Sequence, residues 1–428
     1  MVDVVRGRTG LAGGASSPVR VGYAVGGDPF VQAAGRGAYA YDEAGNAYVD
    51  YVMAYGPLLF GHAHPEFTQG LDEIARRGSV FGSTTREEKR LAERIGGCLP
   101  SVEALRFVST GTEAVMSAVR VARAFTGRSL VARFAGNYHG HFDQALLDAG
   151  ASALQGAGGR SGIPEGVRRD TLVARFNDLE DFDGKLAGRE SELAAILVEP
   201  VVGNMGLVLP EEGFLEGLFA RARACGALVV FDEVITWLRL GLGGGQGACG
   251  LRPDLTALGK IMGGGFPLAA FGGRAGVMAA LAPAGAAFTG GTFSGNPFCV
   301  AMGHRMLDAI EARPHLYAEL EASARALAEG LRGIFARLSL PYAVVQHGSM
   351  VDFKFRPGRP ARNYDEAKES DGAAFAAYYH GMRSRGVLLA PSPNELMFVS
   401  TEHGSRELDR TVEAAEATLR DLRERKLV

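Results

Sequence analysis

The sequence predicts an α/β protein in which a large domain, with a mostly parallel sheet between helices, is joined to a smaller α+β domain. Three observations lead there. The chain has 428 residues, more than one hydrophobic core usually accommodates. Between Leu105 and Gly273, short β-rich runs alternate with longer amphipathic stretches, which is the pattern of βαβ units. From about Met306 onward, long helical stretches take over. Residues 1–50 are expected to join the small domain, 51–305 to form the large domain, and 306–428 to complete the small one.

The elements follow in order. GAYAYDEAGNAYVDYV (37–52) predicts a β-hairpin turning at Ala44-Gly45-Asn46. ALRFV (104–108) predicts a strand running into the helix STGTEAVMSAVRVARAF. LVARF (130–134) predicts a strand that ends in AGNYHGH. AAILVEP (194–200) is a strand followed by a loop and the helix EEGFLEGLFARARACG; ALVVFDEV (227–234) is the next strand, and LTALGK (255–260) follows it. In the last third, YAELEASARALAEGLRGIFARL reads as a helix, AVVQHGSMVDFKF as β-rich, and ELDRTVEAAEATLRDLRERK as the final helix.

Composition narrows the function. With 22% charged residues and a formal charge of −3, nothing pulls the chain globally toward nucleic acid or anionic membrane, so small-molecule partners are expected. Four scattered cysteines without CxxC spacing fit free thiols in a reducing compartment. The first twenty residues lack an apolar signal region and no stretch has eighteen apolar residues in a row, so a cytoplasmic location is expected.

In an open α/β sheet, ligands bind beyond the carboxyl ends of the strands. Here those ends carry Thr110, Thr112, Tyr138, His139, Glu199, Asp232 and Lys260. STGTEA (109–114) has capping-box spacing with Thr110 as N-cap, and the free N–H groups of a helix start, approached closely at Gly111, also suit a phosphate. FDEV (231–234) places two carboxylates at a strand end, of which only one can face the crevice. No HExxH spacing supports a metal. Lys260 stands one strand–helix–strand step beyond Asp232, so neighbouring strands can deliver both to one pocket. It is not a Walker lysine, since Ile261 follows it, and GLGGGQG (241–247) does not satisfy GxGxxG. An anion site, an aromatic, a carboxylate and a lysine together meet the needs of pyridoxal 5'-phosphate (PLP).

The residues also carry a resemblance. SSPVR (16–20), YGPLLFGHAHP (55–65), TGTEAVMSAVRVARAFTGR (110–128), YHGH (138–141), VEPVVGNMG (198–206), FDEV, PDLTALGKIMGGGFP (253–267), GTFSGNP (291–297) and LAPSPNELMFVS (389–400) resemble, in order, the class III aminotransferases of PLP fold type I. Within that family the chain is most similar to the glutamate-1-semialdehyde aminomutase branch. The resemblance implies Lys260 as the Schiff-base lysine and proton shuttle, Asp232 as partner of the pyridine nitrogen, and Tyr138 stacked on the ring beside His139. It implies Thr110, Gly111 and Thr112 at the phosphate, Glu199 and Asn204 near the phenolic oxygen, and Thr292 reaching the site of a partner subunit in a homodimer. Ser17, Arg20 and Glu395 are implied at an amino acid or amine substrate, with Tyr55 near it; Trp237, a departure from the family pattern just beyond Asp232, either reshapes that pocket or packs in a core. The stretch ending RSGIPEGV (160–167) is similar to the branch's substrate-covering loop.

Several positions depart from the pattern: Tyr55 replaces a tryptophan, Phe288 a tyrosine, Ser16 an asparagine, and ITWLR (235–239) replaces MTGFR. They leave three readings open: intramolecular amino transfer, intermolecular transfer from a separate donor, and another PLP-dependent activity.

Overall fold

The structure, a computed structural model, describes residues 10–149 and 161–428. Three strands open the chain: β1 (Gln32–Arg36), β2 (Tyr39–Asp42) and β3 (Ala47–Asp50). Seven follow: β4 (Ala104–Val108), β5 (Leu130–Phe134), β6 (Thr171–Ala174), β7 (Leu193–Val198), β8 (Leu228–Asp232), β9 (Leu255–Leu258) and β10 (Ala269–Gly273). Four close it: β11 (Tyr342–His347), β12 (Met350–Pro357), β13 (Val387–Leu388) and β14 (Met397–Phe398). Six helices matter below: α1 (Gly111–Thr126), α2 (Phe214–Cys225), α3 (Pro297–Glu311), α4 (Leu316–Leu338), α5 (Gly372–Ser384) and α6 (Ser405–Glu424).

The central sheet has the order β4-β10-β9-β8-β7-β5-β6, parallel throughout except for β10, which runs against both its neighbours. Strands β5, β7, β8 and β10 are buried at every residue, as continuous apolar runs between two helical layers must be. β6 and β10 were not anticipated. For β10 the reason lies in Gly272 and Gly273: a Cβ on Gly272 would meet the Ala104 carbonyl at 2.6 Å, and one on Gly273 would meet Leu255 Cα at 2.9 Å. The strand therefore carries glycine where β-formers are expected, because two backbones close on it.

One face of the sheet packs on α1 through Ala114, Val115, Ala118 and Ala122. The other packs on α2 through a cluster of phenylalanines, in which Phe134 lies edge-on to Phe176 and Phe214 at 5.9 and 5.5 Å. The hairpin β2–β3 turns at residues 43–46, where Asp42 accepts from the backbone N–H groups of Ala44 and Asn46. β3 then pairs in parallel with β13, so the N-terminal strands share a sheet with the far end of the chain. A separate core joins Val49 and Tyr51 to α4, α5 and α6. The change of core falls later than position 306, which lies inside α3. Leu316 and Leu320 of α4 still pack with Met306 and Ile310 of the large core, and the small core begins at Ala324.

Replacing Phe134 by Ala removes the centre of the ring cluster and is expected to cost about 3–5 kcal/mol. The check is the urea midpoint, which should fall with an unchanged denaturant slope.

Candidate active site

Strands β5, β7, β8 and β9 end side by side, and each delivers one polar group. Asp232, the last residue of β8, is 5% exposed. Its Oδ2 accepts from His139 Nδ1 at 2.8 Å and its Oδ1 accepts from the Val234 N–H at 3.0 Å. Burial pushes the His139 imidazole below its ordinary value, overriding Asp232, so His139 is neutral and Nδ1 carries the donated proton. Its buried Nε2 has no partner among the described residues. Beside them, Glu199 accepts from the Tyr138 and Gly203 N–H groups at 3.0 and 3.1 Å and from Asn204 Nδ2 at 2.9 Å. Burial, with the Asp232 charge second, outweighs these donors and pushes Glu199 up to about 7. The second carboxylate of FDEV turns away: Glu233 accepts from Thr236 Oγ1 at 2.6 Å and from the N–H groups of Gly245 and Gln246. It anchors the next loop.

Lys260 leaves β9 through Gly259 and adopts φ 49°, a left-handed conformation that a lysine holds only under tertiary constraint. Burial pushes its amine below the ordinary lysine value, while the charges of Glu395, Glu199 and Asp232 oppose that shift. Tyr138 is half-buried among the same groups; burial, then Glu395 and Asp232, push its hydroxyl up. The structure thus brings Tyr138, His139, Glu199, Asn204, Asp232, Lys260 and Glu395 into one charge cluster.

The start of α1 forms the wall next to this cluster. Thr110 Oγ1 accepts from the Glu113 N–H at 3.2 Å, and Glu113 Oε2 accepts from the Ser109 and Thr110 N–H groups, both at 2.9 Å. The capping box is complete. It leaves the first-turn N–H groups of Gly111 and Thr112 without a helical acceptor, so they are free to meet an anion. A Cβ on Gly111 would stand 3.1 Å from Val234, which shows how closely the helix start presses on the turn after Asp232. Thr112 Oγ1 lies 3.3 Å from His141 Nδ1, a neighbour of the anion site that the sequence reading left unassigned.

Of the residues expected at the substrate, Arg20 is exposed and Tyr55 half-buried, and both line a cavity of about 830 Å³ between the N-terminal segment and the crevice. The carboxylate of Glu395 acts on Tyr55 as well as on Lys260, linking that cavity to the lysine. Ser17 is half-buried, and its carbonyl accepts from the Arg20 N–H at 3.1 Å. Trp237 departs from its expected place: it is 1% exposed, packs among Leu91, Ile95 and Met262, and donates from Nε1 to the Leu242 carbonyl at 3.0 Å. It fills core space, which is the common fate of a large ring with one donor to satisfy. Thr292 is exposed, on a loop whose Phe288 and Phe293 are 72% and 62% exposed, and among the described residues no hydrogen bond ties it to the cluster. Residues 150–160 of the expected covering loop, which runs between His141 and Val167, lie outside the described residues.

One buried pair was missed. His62 Nε2 lies 2.7 Å from Asp50 Oδ2, and Asp50 Oδ1 also accepts from the Val52 N–H at 2.8 Å. Together they hold the entry to Met53, Ala54 and Tyr55, three consecutive non-glycine residues with φ of 43°, 54° and 66°. The histidine in FGHAHP was the available signal.

Among the described residues no three His, Cys, Asp or Glu side chains gather as a metal site. No helix among them is long and apolar enough to cross a membrane. The donor set does fit PLP: helix-start N–H groups for a phosphate, a ring beside a buried anionic carboxylate for a protonated heterocycle, and an amine on the adjoining strand for a carbonyl.

Comparison with known proteins gives a concordant picture. Residues 23–402 match the class-III aminotransferase family. The chain is 46% identical over 411 residues to a glutamate-1-semialdehyde 2,1-aminomutase from Desulforudis audaxviator, covering 96% of this chain and 95% of that protein. Its fold is similar to that of an omega-transaminase from Sphaerobacter thermophilus, with a TM-score of 0.88 at 32% identity over 98% of this chain and 97% of that one. It is also similar to a transaminase solved with PLP bound, with a TM-score of 0.87 at 28% identity, covering 98% and 96% of the two chains.

The raised Glu199 carboxyl makes stability depend on pH. Folded, it keeps its proton up to about 7. Unfolded, it releases it near the ordinary value of 4.5, so its burial costs more as pH rises between the two. In the cofactor-free chain, Glu199→Gln should gain on the parent by about 3 kcal/mol between about pH 4 and about pH 7.5. Urea unfolding at both pH values reads this, and an equal difference at both would refute it.

Proposed function

Because the chain belongs to the class-III aminotransferases, we propose that it is a PLP-dependent aminomutase that exchanges an amino group and a carbonyl oxygen between adjacent carbons of glutamate-1-semialdehyde. The observation that carries this reading is the meeting of Lys260 and Asp232 at the ends of adjoining parallel strands, in a crevice where burial favours the neutral amine and His139 keeps the carboxylate oriented. The high identity to aminomutases over nearly the whole chain supports the substrate.

Thr110, Gly111 and Thr112 would hold the cofactor's phosphate, Tyr138 its ring face, Asp232 its pyridine nitrogen, and Glu199 with Asn204 the side of its phenolic oxygen. When bound, PLP supplies an electron sink for the charge left on a substrate carbon that loses a proton. The chain's own residues do the rest. Asp232, fixed by two donors, would sit against the cofactor's pyridine nitrogen and favour a proton there; at an effective dielectric near 20, a charged contact at about 4 Å is worth on the order of 4 kcal/mol. Lys260 Nζ, whose neutral form burial favours, would take the proton from one substrate carbon and return it to the neighbouring one. Arg20 offers a fork for the substrate carboxylate at the cavity mouth, and Tyr55 and Glu395 line the path from there to Lys260.

A second copy of the chain is expected to cover the loop bearing Thr292, since Phe288 and Phe293 present two large rings to solvent there. In that homodimer Thr292 would complete the partner's phosphate site.

Intermolecular amino transfer is the second reading. Tyr55 standing where aminomutases of this pattern carry tryptophan, together with the likeness to an omega-transaminase, favours it.

Borohydride reduction of the yellow holoenzyme is expected to leave a pyridoxyl adduct on Lys260, found by peptide mass analysis and lost in Lys260→Ala. Asp232→Asn should lower kcat at least about a hundredfold while cofactor still binds. Glutamate-1-semialdehyde should turn over without any added amino donor. Turnover only with a separate amine would establish the second reading, and an unmodified Lys260 would overturn both.

A further inference from the structure

Behind Lys260, on the side away from the substrate cavity, lies a buried arginine that the proposed chemistry does not use. Arg239 is 1% exposed and ranks among the largest fully buried side chains. Its Nη1 donates to Ser349 Oγ at 2.8 Å, its Nη2 donates to the Gly56 carbonyl, and its guanidinium carbon stands 4.8 Å from the centre of the Phe398 ring. Its Nε has no partner, and no carboxylate pairs with it among the described residues. Buried guanidinium groups are ordinarily matched by a carboxylate, because an uncompensated charge in a dry interior is costly. Here only a carbonyl, a hydroxyl and an aromatic face receive it. Burial pushes Arg239 down to about 9; the titratable groups around it are Lys260, Tyr317, whose hydroxyl donates to the Leu238 carbonyl at 3.1 Å, and Glu321 and His347, which line the same cavity as Arg239.

The groups that Arg239 grips are those that touch the lysine. A Cβ placed on Gly56 would stand 3.7 Å from Lys260 Cδ and 3.3 Å from the Phe398 ring, so Gly56, Phe398 and the lysine stem form one contact. Four charged groups face the Lys260 nitrogen: Glu395, Glu199 and Asp232, which favour an ammonium, and Arg239, which disfavours one. Three carboxylates around a lysine would ordinarily hold it protonated, and a protonated lysine has no lone pair with which to attack a carbonyl or accept a proton.

We infer that Arg239 is a positioning residue for Lys260: an unpaired buried positive charge, locked to the Gly56 carbonyl and Ser349 against the lysine stem, that adds to burial in disfavouring the ammonium form against the surrounding carboxylates. The inference rests on Lys260 being the reacting amine. A purely structural role, tying the Gly56 turn to Ser349, would need the hydrogen bonds but not the charge.

The test is the pH dependence of acylation of Lys260 by trace acetic anhydride in the full-length chain freed of cofactor, read by mass analysis of the peptide containing it. Arg239→Met should move the midpoint up by about one pH unit, so that one unit below the new midpoint Lys260 reacts about fivefold more slowly than in the parent. Arg239→Lys keeps the charge and should stay near the parent. Ser349→Asp supplies the missing carboxylate while leaving the arginine in place, and should shift the midpoint as Arg239→Met does. If Arg239→Met does not fold, Ser349→Asp decides alone. A parent-like midpoint in a folded Ser349→Asp or Arg239→Met protein overturns the inference, as does an Arg239→Lys midpoint that moves as far as that of Arg239→Met. Failure of borohydride to mark Lys260 would instead overturn the functional reading and leave this midpoint meaningful on its own.

Discussion

The contact between His139 Nδ1 and Asp232 Oδ2 organises the crevice. A carboxylate that is only 5% exposed needs donors to replace the water it has lost, and Asp232 has one from the ring and one from the Val234 backbone. The histidine comes from the loop after β5 and the aspartate from the end of β8, with β7 lying between those strands. The bond therefore spans the crevice floor. Its position sets Tyr138 next to it, Glu199 just after β7 nearby, and the start of α1 beside it, since Val234 touches both Asp232 and Gly111.

Around that contact the protein concentrates charge where little water enters. Glu199 accepts three hydrogen bonds and is nonetheless pushed up by burial and by Asp232; Lys260 is pushed down by burial against the pull of three carboxylates. Opposite shifts in neighbouring groups are what a proton-transferring site requires, because each partner then holds or releases its proton near neutral pH. Backbone strain belongs to the same arrangement. Lys260 and the run Met53–Ala54–Tyr55 hold left-handed conformations on the two sides of the lysine stem, and Asp50 with His62 fixes the entry to that run.

Much of this was legible in the sequence, for physical reasons. Buried parallel strands leave continuous apolar runs, so β4, β5, β7, β8 and β9 could be read with their polar ends, and Asp232 and Lys260 could be placed on neighbouring strands from their spacing. The capping box of α1 was visible because its partners are three residues apart. What escaped depends on contacts distant in sequence. β10 escaped because its glycines answer to neighbouring backbones. Trp237 was expected near substrate for its position after Asp232, yet the ring turns into the core between Leu91 and Met262. The Asp50–His62 pair and the Arg239 grip on Gly56 and Ser349 join segments whose proximity no local pattern encodes.

The parallel pairing of β3 with β13 has a consequence for how the protein is made. Asp50 is matched with Leu388, so β3 waits for a companion that is made only after the whole central sheet. The early hairpin must persist with one edge unsatisfied while the whole central sheet leaves the ribosome, and a nascent chain released short of that point carries an open edge ready to recruit other strands. The bend at Asp50, which leads directly to Tyr55, thus gains its strand partner only when two segments far apart in sequence have met.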